Sequence, residues 1–303
     1  MHTIGDPMCG TLFMKAWSET FRVAQILHPP FFHPPSLKPR DKVNLEVKSR
    51  GYYTTSFFNA RDEDQNDEKT QREGHNGLAK EFGTITLNFS EETIEKMISE
   101  VQEGSIKYGP PNPSDVVSAL LWKAILRAQG KSKTDEAKVS LCLEFRKIHL
   151  PPLPYGYVGN AIHFTGISAN AGEVLNQDLS YASSLINESS GLVDTEEVRS
   201  VVDLVNEMEA QGKEVLKKPP FLYSDGLTIA IFDYFLCYDV VFDFGKPIRV
   251  GYRIEPLKGE GQLVVLPGPE GKSSRVVVVS LPEEVIINLL KDDELLRVLP
   301  ELQ

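Results

Sequence analysis

The first six residues, Met1-His2-Thr3-Ile4-Gly5-Asp6, place a histidine four residues ahead of an aspartate. Imidazole is the side chain whose ordinary pKa lets it take or give a proton near neutral pH. A carboxylate at that spacing can orient the ring or neutralise it. Two common residues at a fixed interval also recur by chance. The bland reading is a histidine in a terminal segment with no role, beside an aspartate that caps a helix. What the rest of the chain places around the pair has to decide.

Asp6 is followed by Pro7, a pairing suited to an N-cap and first helical position. Leu12, Phe13, Ala16, Trp17, Phe21, Ala24 and Leu27 then recur at helical spacing. They predict a helix from Pro7 to Leu27 with one broad apolar face, stopped by His28-Pro29-Pro30. His2 therefore precedes a helix N-terminus, whose positive dipole end favours the neutral imidazole that a general base needs.

The chain has 303 residues, 41% apolar and 25% charged, an ordinary globular mix. A net charge of −11 argues against a nucleic-acid binder, which needs a clustered excess of Lys and Arg. Much of the acidity is local, from Arg61 to Glu68, and reads as a solvated loop rather than a partner-binding tail. No apolar run approaches membrane-spanning length, and no signal-peptide pattern opens the chain. Cys9, Cys142 and Cys237 lack metal-type spacing and fit a reducing compartment, most simply the cytosol.

Residues 38–78 are polar and without period, the pattern of a long linker. A strand at Thr84–Phe89 follows, then a helix capped by Ser90 and another capped by Ser114 and ending near Gly130. Alternation from Val139 to Arg146 predicts a half-buried strand with Arg146 on its polar face. Pro151 to Asn160 reads as a rigid turn, and His163 in the apolar run beyond it as a satisfied structural histidine. Two helices come next, the second carrying Val198, Val201, Val202, Val205 and Met208. Strands are expected at Leu227–Phe232, Tyr238–Phe244 and Ile248–Tyr252, and a hairpin at Gln262–Leu266 and Arg275–Leu281. A helix at Glu283–Leu290 and a short helical tail from Asp292 close the chain. The class is α/β with a mixed sheet, and no phosphate-binding loop or nucleophile elbow is present.

Several stretches, in order, resemble the BAHD-type acyltransferases. His2-x-x-x-Asp6 with Phe13-Met14-Lys15-Ala16-Trp17-Ser18-Glu19 resembles that family's active-site motif and the helix after it. Ser114 to Ile125, with central Trp122, resembles its Trp-containing helix. Phe145-Arg146, Pro151-Pro152-Leu153-Pro154, Tyr157 and Gly159-Asn160 resemble its Arg…PPLP…Y-x-GN stretch. Tyr238 to Pro247 stands where the family carries Asp-Phe-Gly-Trp-Gly. The flavour is similar to the fungal branch, the trichothecene-type O-acetyltransferases.

The resemblance implies a chloramphenicol-acetyltransferase-like fold and acyl transfer from a CoA thioester, with acetyl-CoA as co-substrate. The acceptor would be a hydroxyl or amine of a small secondary metabolite. No bound cofactor, metal, nucleic acid or membrane is implied, and the expected form is a cytoplasmic monomer at full length. Carried over, His2 is the general base, Asp6 pairs with Arg146 to hold the loop, and Asp243 and Gly245 support the site from the Asp-Phe-Gly region. Residues 1–50 would be the remnant of a first domain, 51–81 an acidic crossover linker and 82–303 a nearly complete second domain, the chain being truncated at its N-terminus.

Three departures stand out. Pro7 replaces the glycine after the motif aspartate. Matched without gaps, Val241 falls on the family's Asp and Asp243 on its first Gly; matched by type, Asp243-Phe244-Gly245 fits but Trp-Gly is missing. The gapless match puts Ala230-Ile231-Phe232 where the family often has Thr-Ser-Trp, removing a hydroxyl. With the missing first domain, these departures motivate an alternative, an inactive relative that at most binds ligand. A peptide-synthetase condensation domain is disfavoured by the Arg…PPLP and Gly-Asn stretches.

Overall fold

A computed structural model describes residues 5–34, 37–44, 46, 81–101, 111–148, 151–211, 226–243, 245–251 and 260–299. His2, most of the acidic linker, Phe244 and Tyr252 lie outside the described residues. In chain order the elements are α1 (Pro7–Val23), β1 (Phe82–Phe89), α2 (Glu91–Val101), α3 (Pro113–Ala128), β2 (Glu136–Glu144), β3 (Ile162–Asn170), α4 (Ala171–Asn176), α5 (Leu179–Gly191), α6 (Thr195–Ala210), β4 (Leu227–Ile231), β5 (Gly261–Pro267), β6 (Arg275–Pro282), α7 (Glu283–Leu289) and α8 (Asp293–Val298). The strands form one six-stranded mixed sheet in the order β1-β6-β5-β4-β2-β3. β4 runs parallel to both β2 and β5, and the other pairings are antiparallel.

Strand period divides the core. Odd-numbered residues such as Leu141, Ile229, Leu263, Val265, Val277 and Val279 join the main cluster with the helices. Even-numbered Cys142, Ala230, Val264, Leu266 and Val278 form a smaller cluster on the opposite face with Phe164 and Phe232. β2 is thus buried on both faces from Val139 onward, not half-buried as its alternation suggests. Its Ser140, Cys142 and Glu144 read as a polar face by residue type, yet the sheet is covered on that side too. Arg146 lies beyond the strand, in a turn, and is 5% exposed.

α3 crosses the helical layer, packing on α2, α5 and α7, and Trp122 at its centre is 1% exposed. Its cap is Asn112 rather than Ser114. Asn112 Oδ1 accepts from the Asp115 N–H at 2.9 Å while Asp115 Oδ2 accepts from the Asn112 N–H at 3.2 Å. Ser114 instead donates to Asp233. Ser90 caps α2 as expected, accepting from the Thr93 N–H at 3.1 Å.

The capping box leaves Asp115 fully buried, and burial pushes its carboxyl up to about 6. Hydrogen bonds from Asn187 and Asn112 hold it down, and the charge of Asp233 pushes it up. A carboxyl raised on folding favours the folded state below its unfolded pKa and loses that contribution as pH rises through its folded pKa. Asp115→Asn is therefore expected to flatten the stability profile between about pH 4 and 7. At pH 8 it should be more stable than wild type by on the order of 2 kcal/mol. Urea denaturation at a series of pH values measures this; a parallel profile in the variant would contradict it.

Two expected strands are absent among the described residues. Cys237–Asp239 is a single 3-10 turn, and Phe242 and Gly245 close a tight turn through a 3.0 Å backbone hydrogen bond. Residues 248–251 are irregular. β4 is already flanked by β2 and β5, so the segment leaving it has no free edge of β4 to pair with. α1 also ends earlier than expected, at Val23, where Ala24 takes φ 54. Glu19 draws the chain aside there, accepting from the Leu27 N–H at 3.0 Å and pairing with His28 at 3.2 Å. Among the described residues, no helix is long and apolar enough to cross a membrane.

Candidate active site

Asp6 caps α1, its Oδ1 accepting from the Cys9 N–H at 3.3 Å. The same carboxylate, 3% exposed, meets Arg146 in a two-pronged pair: Nη1 to Oδ2 at 2.8 Å and Nη2 to Oδ1 at 3.0 Å. Asp6 Oδ2 also accepts from the Ala161 N–H at 2.8 Å. Both oxygens are thereby saturated by donors from inside the fold. With both oxygens engaged, the carboxylate ties the start of α1 to the segment that follows β2.

Arg146 has further partners. Its Nη2 donates to the Gly159 carbonyl at 2.9 Å and its Nη1 to Glu144 Oε1 at 2.9 Å, and Tyr157 lies beneath it at 5.5 Å from guanidinium to ring centre. Burial works against the charge of Arg146, but Asp6 and Glu144 prevail and its pKa is raised. Glu144 moves up as well, because burial outweighs the pull of the guanidinium. Cys9 completes the joint: its Sγ accepts from the Gly159 N–H at 3.2 Å and lies 3.3 Å from the Gly159 carbonyl oxygen. Burial pushes its thiol up, opposite to the direction a nucleophilic cysteine needs. Gly5 packs so closely on Cys9 that a Cβ there would collide with Sγ.

The turn after β2 is held on its other side by residues 29–32. Phe31 donates to the Gly156 carbonyl at 2.9 Å and accepts from the Val158 N–H at 3.0 Å. The backbones meet at Gly156, where a Cβ would overlap the Pro29 carbonyl oxygen. Gly156→Ala is expected to part these segments and raise proteolytic cleavage between residues 24 and 34. An unchanged cleavage pattern would refute the close-packing argument.

Asp6, Cys9, Gly156 and Val158 line one wall of a cleft of about 1090 Å³, with Phe13, Trp17, His28 and Phe32 on the other sides. Its lining is predominantly apolar. Phe13, Trp17 and Phe21 on α1 are 68%, 55% and 56% exposed, so the helix's apolar face is turned largely outward. Among the described residues of the Tyr238–Pro247 stretch, Phe242 meets Trp17 edge-on at 5.9 Å and Phe21 at 5.7 Å.

The structure brings Asp6 and Arg146 together. It does not bring Asp243 or Gly245 to them: both are exposed in the turn closed by Phe242, with Gly245 at φ 102 and no described hydrogen bond to the clamp. His163 is 2% exposed, 3.8 Å from Glu197, and burial lowers it to about 3, a neutral structural histidine. Ala230 and Phe232 sit in the smaller cluster, so side chains of that stretch present no hydroxyl. Cys9 and Glu144 were passed over in the sequence. Glu144 stands two residues before Arg146 and could have been suspected from that spacing; nothing marks Cys9 but its place three residues after Asp6.

The six-stranded mixed sheet with its helical layer is the chloramphenicol-acetyltransferase-like fold that the sequence resemblance implies. The chain belongs to the Transferase family, whose family model matches residues 1–296. It is 23% identical over 283 residues to shikimate O-hydroxycinnamoyltransferase of Nicotiana tabacum, covering 93% of this chain and 62% of the relative. It is 26% identical over 284 residues to agmatine hydroxycinnamoyltransferase 1 of Oryza sativa subsp. japonica, covering 90% and 60%. The fold is similar to that of F. sporotrichioides TRI101, solved with coenzyme A and T-2, with TM-score 0.62, 16% identity and coverage of 74% of this chain and 52% of that one. The chain thus spans less than two thirds of the length of these relatives.

Proposed function

We propose that this chain carries the base-bearing side of an acyltransferase site that moves an acyl group from a CoA thioester to a hydroxyl or amine of a small molecule. The observation that carries the reading is the saturated Asp6–Arg146 clamp, formed by the aspartate of the His2-x-x-x-Asp6 motif. A carboxylate fully engaged by the fold is a positioning group, which leaves the histidine four residues earlier as the proton acceptor. In the proposed step His2 takes the acceptor's proton as its oxygen or nitrogen attacks the thioester carbonyl. The tetrahedral oxyanion then collapses, and the sulfur leaves with the proton returned from His2. No enzyme-bound acyl intermediate is required, in keeping with a Cys9 thiol whose pKa is raised.

Acetyl is the acyl group proposed, from the likeness of the sequence motifs to those of trichothecene-type O-acetyltransferases. The two named plant relatives, both hydroxycinnamoyltransferases, make an aromatic acyl group the competing donor. A fungal-branch origin draws on the same motif likeness. A monomer in the cytosol is the proposed setting, supported by three free cysteines and, among the described residues, no membrane-length helix.

The test is release of coenzyme A thiol from acetyl-CoA and p-coumaroyl-CoA against a panel of small alcohols and amines, using the longest natural form of the protein. Acceptor-dependent release with mass-detected ester or amide is expected. Absence of acceptor-dependent release from every donor would overturn the reading.

A further inference from the structure

Arg146 serves two carboxylates with one guanidinium. Its Nη1 donates both to Asp6 Oδ2 at 2.8 Å and to Glu144 Oε1 at 2.9 Å. Its Nη2 is spent on Asp6 Oδ1 and the Gly159 carbonyl. All three side chains are buried, so with both acids ionised the enclosure holds one uncompensated negative charge. The other ionisable groups around Glu144 do not cancel it. Asp115 from the start of α3, and Asp233 and Tyr234 from the segment after β4, line one small cavity with Glu144, each of them an acid. Lys147 Nζ sits 3.7 Å from the Tyr234 ring centre, and Arg275 pairs with Asp233. On β3 the residue in register with Glu144 is Ile162, which carries no charge.

The two acids are not equivalent toward a proton. Asp6 accepts on both oxygens, from Cys9, Arg146 and Ala161, so a proton there would displace a donor. Glu144 accepts on Oε1, from Arg146 Nη1 and the Arg146 N–H, while its Oε2 is buried and accepts nothing among the described residues. A proton on Oε2 displaces no donor and removes the excess charge. We propose that Glu144 is a positioning residue that takes up a proton when Asp6 docks on Arg146 and gives it back when Asp6 leaves. The two carboxylates compete for Nη1; with Asp6 gone, Glu144 has the guanidinium to itself and keeps its charge. The Glu144 pKa moves in the matching direction: burial raises it, the bonds to Arg146 pull it down, and the charge of Asp6 raises it again. A carboxyl whose pKa is raised by docking favours the docked state at low pH and withdraws that support as pH rises through the raised value. Docking of α1 therefore weakens above the ordinary carboxylate range. The inference concerns the joint rather than the chemistry, and it stands independently of the acyl-transfer reading.

Amide exchange of the whole protein between about pH 4.5 and 8, read as protection factors so that the intrinsic pH dependence of exchange cancels, tests this. Protection of residues 7–23 is expected to fall by at least about threefold as pH rises through that range. The slope should persist in Asp115→Asn, which removes the other raised carboxyl of the neighbourhood, and vanish in Glu144→Gln, which fixes the neutral form. A second measurement needs no Glu144 variant to fold. The side-chain carboxyl carbon of Glu144, followed by NMR, should titrate above the ordinary glutamate range in wild type and at lower pH in Asp6→Asn. Protection of α1 that does not fall with pH in wild type, a slope retained in folded Glu144→Gln, or the same Glu144 titration in Asp6→Asn as in wild type would each overturn the proposal.

Discussion

Arg146→Ala is expected to undock α1 without melting the sheet, and to abolish acyl transfer. Removing one partner of a buried ion pair leaves the other charged and unpaired, a loss of roughly 3–5 kcal/mol. Here the orphaned groups would be Asp6 and Glu144, buried close together, with the Gly159 carbonyl also losing a donor. That loss falls on a particular part of the molecule. α1 touches the rest of the fold through loops: the clamp, the Cys9–Gly159 contacts and the rings around Phe242. The sheet and α3 keep their own core, in which neither Asp6 nor α1 takes part. Loss of the clamp should therefore show as local opening. Amide exchange in residues 7–23 is expected to accelerate at least a hundredfold while β4, β5 and β6 stay protected. Arg146→Lys should behave nearly as badly, since one ammonium cannot reproduce the two-pronged contact with Asp6 and the reach to Gly159 and Glu144. Uniform exchange in α1 of both variants and wild type would refute the clamp's role.

How much of this was legible beforehand differs by element. Long periodic segments such as Pro113–Ala128 and the Val276–Val279 run were readable because their own residues determine them. Asp6 with Arg146 was legible only as a set: nothing local in either stretch points to a partner 140 positions away, and the ordered motifs supplied it. The segment from Tyr238 onward misled for the opposite reason. It has strand-forming residues, but whether it pairs depends on which edges of β4 are already taken, a fact held by β2 and β5. Glu144 was hidden by its type. On an alternating strand a carboxylate signals solvent, and only the second apolar layer, with Phe164 and Phe232, shows that it is inside. Asp115 was hidden likewise within a helix that reads as amphipathic and is enclosed nearly all round.

The clamp and the proposed base can be separated experimentally, which makes His2→Ala the sharper of the two large effects. A general base in the transition state is worth about 10²–10⁴ in rate, so kcat is expected to fall by that factor. Exchange in α1 should not change, because Asp6 is already held by Arg146, Cys9 and Ala161. Asp6→Asn should do the reverse first, loosening α1 and losing turnover as a consequence. If His2 is the base, wild-type kcat/KM must also rise with pH as the imidazole deprotonates. That limb should disappear from the residual activity of His2→Ala. A His2→Ala enzyme with wild-type kcat and an intact pH profile would show that proton removal falls to another group. Asp6–Arg146 would then be a structural joint that happens to adjoin a histidine.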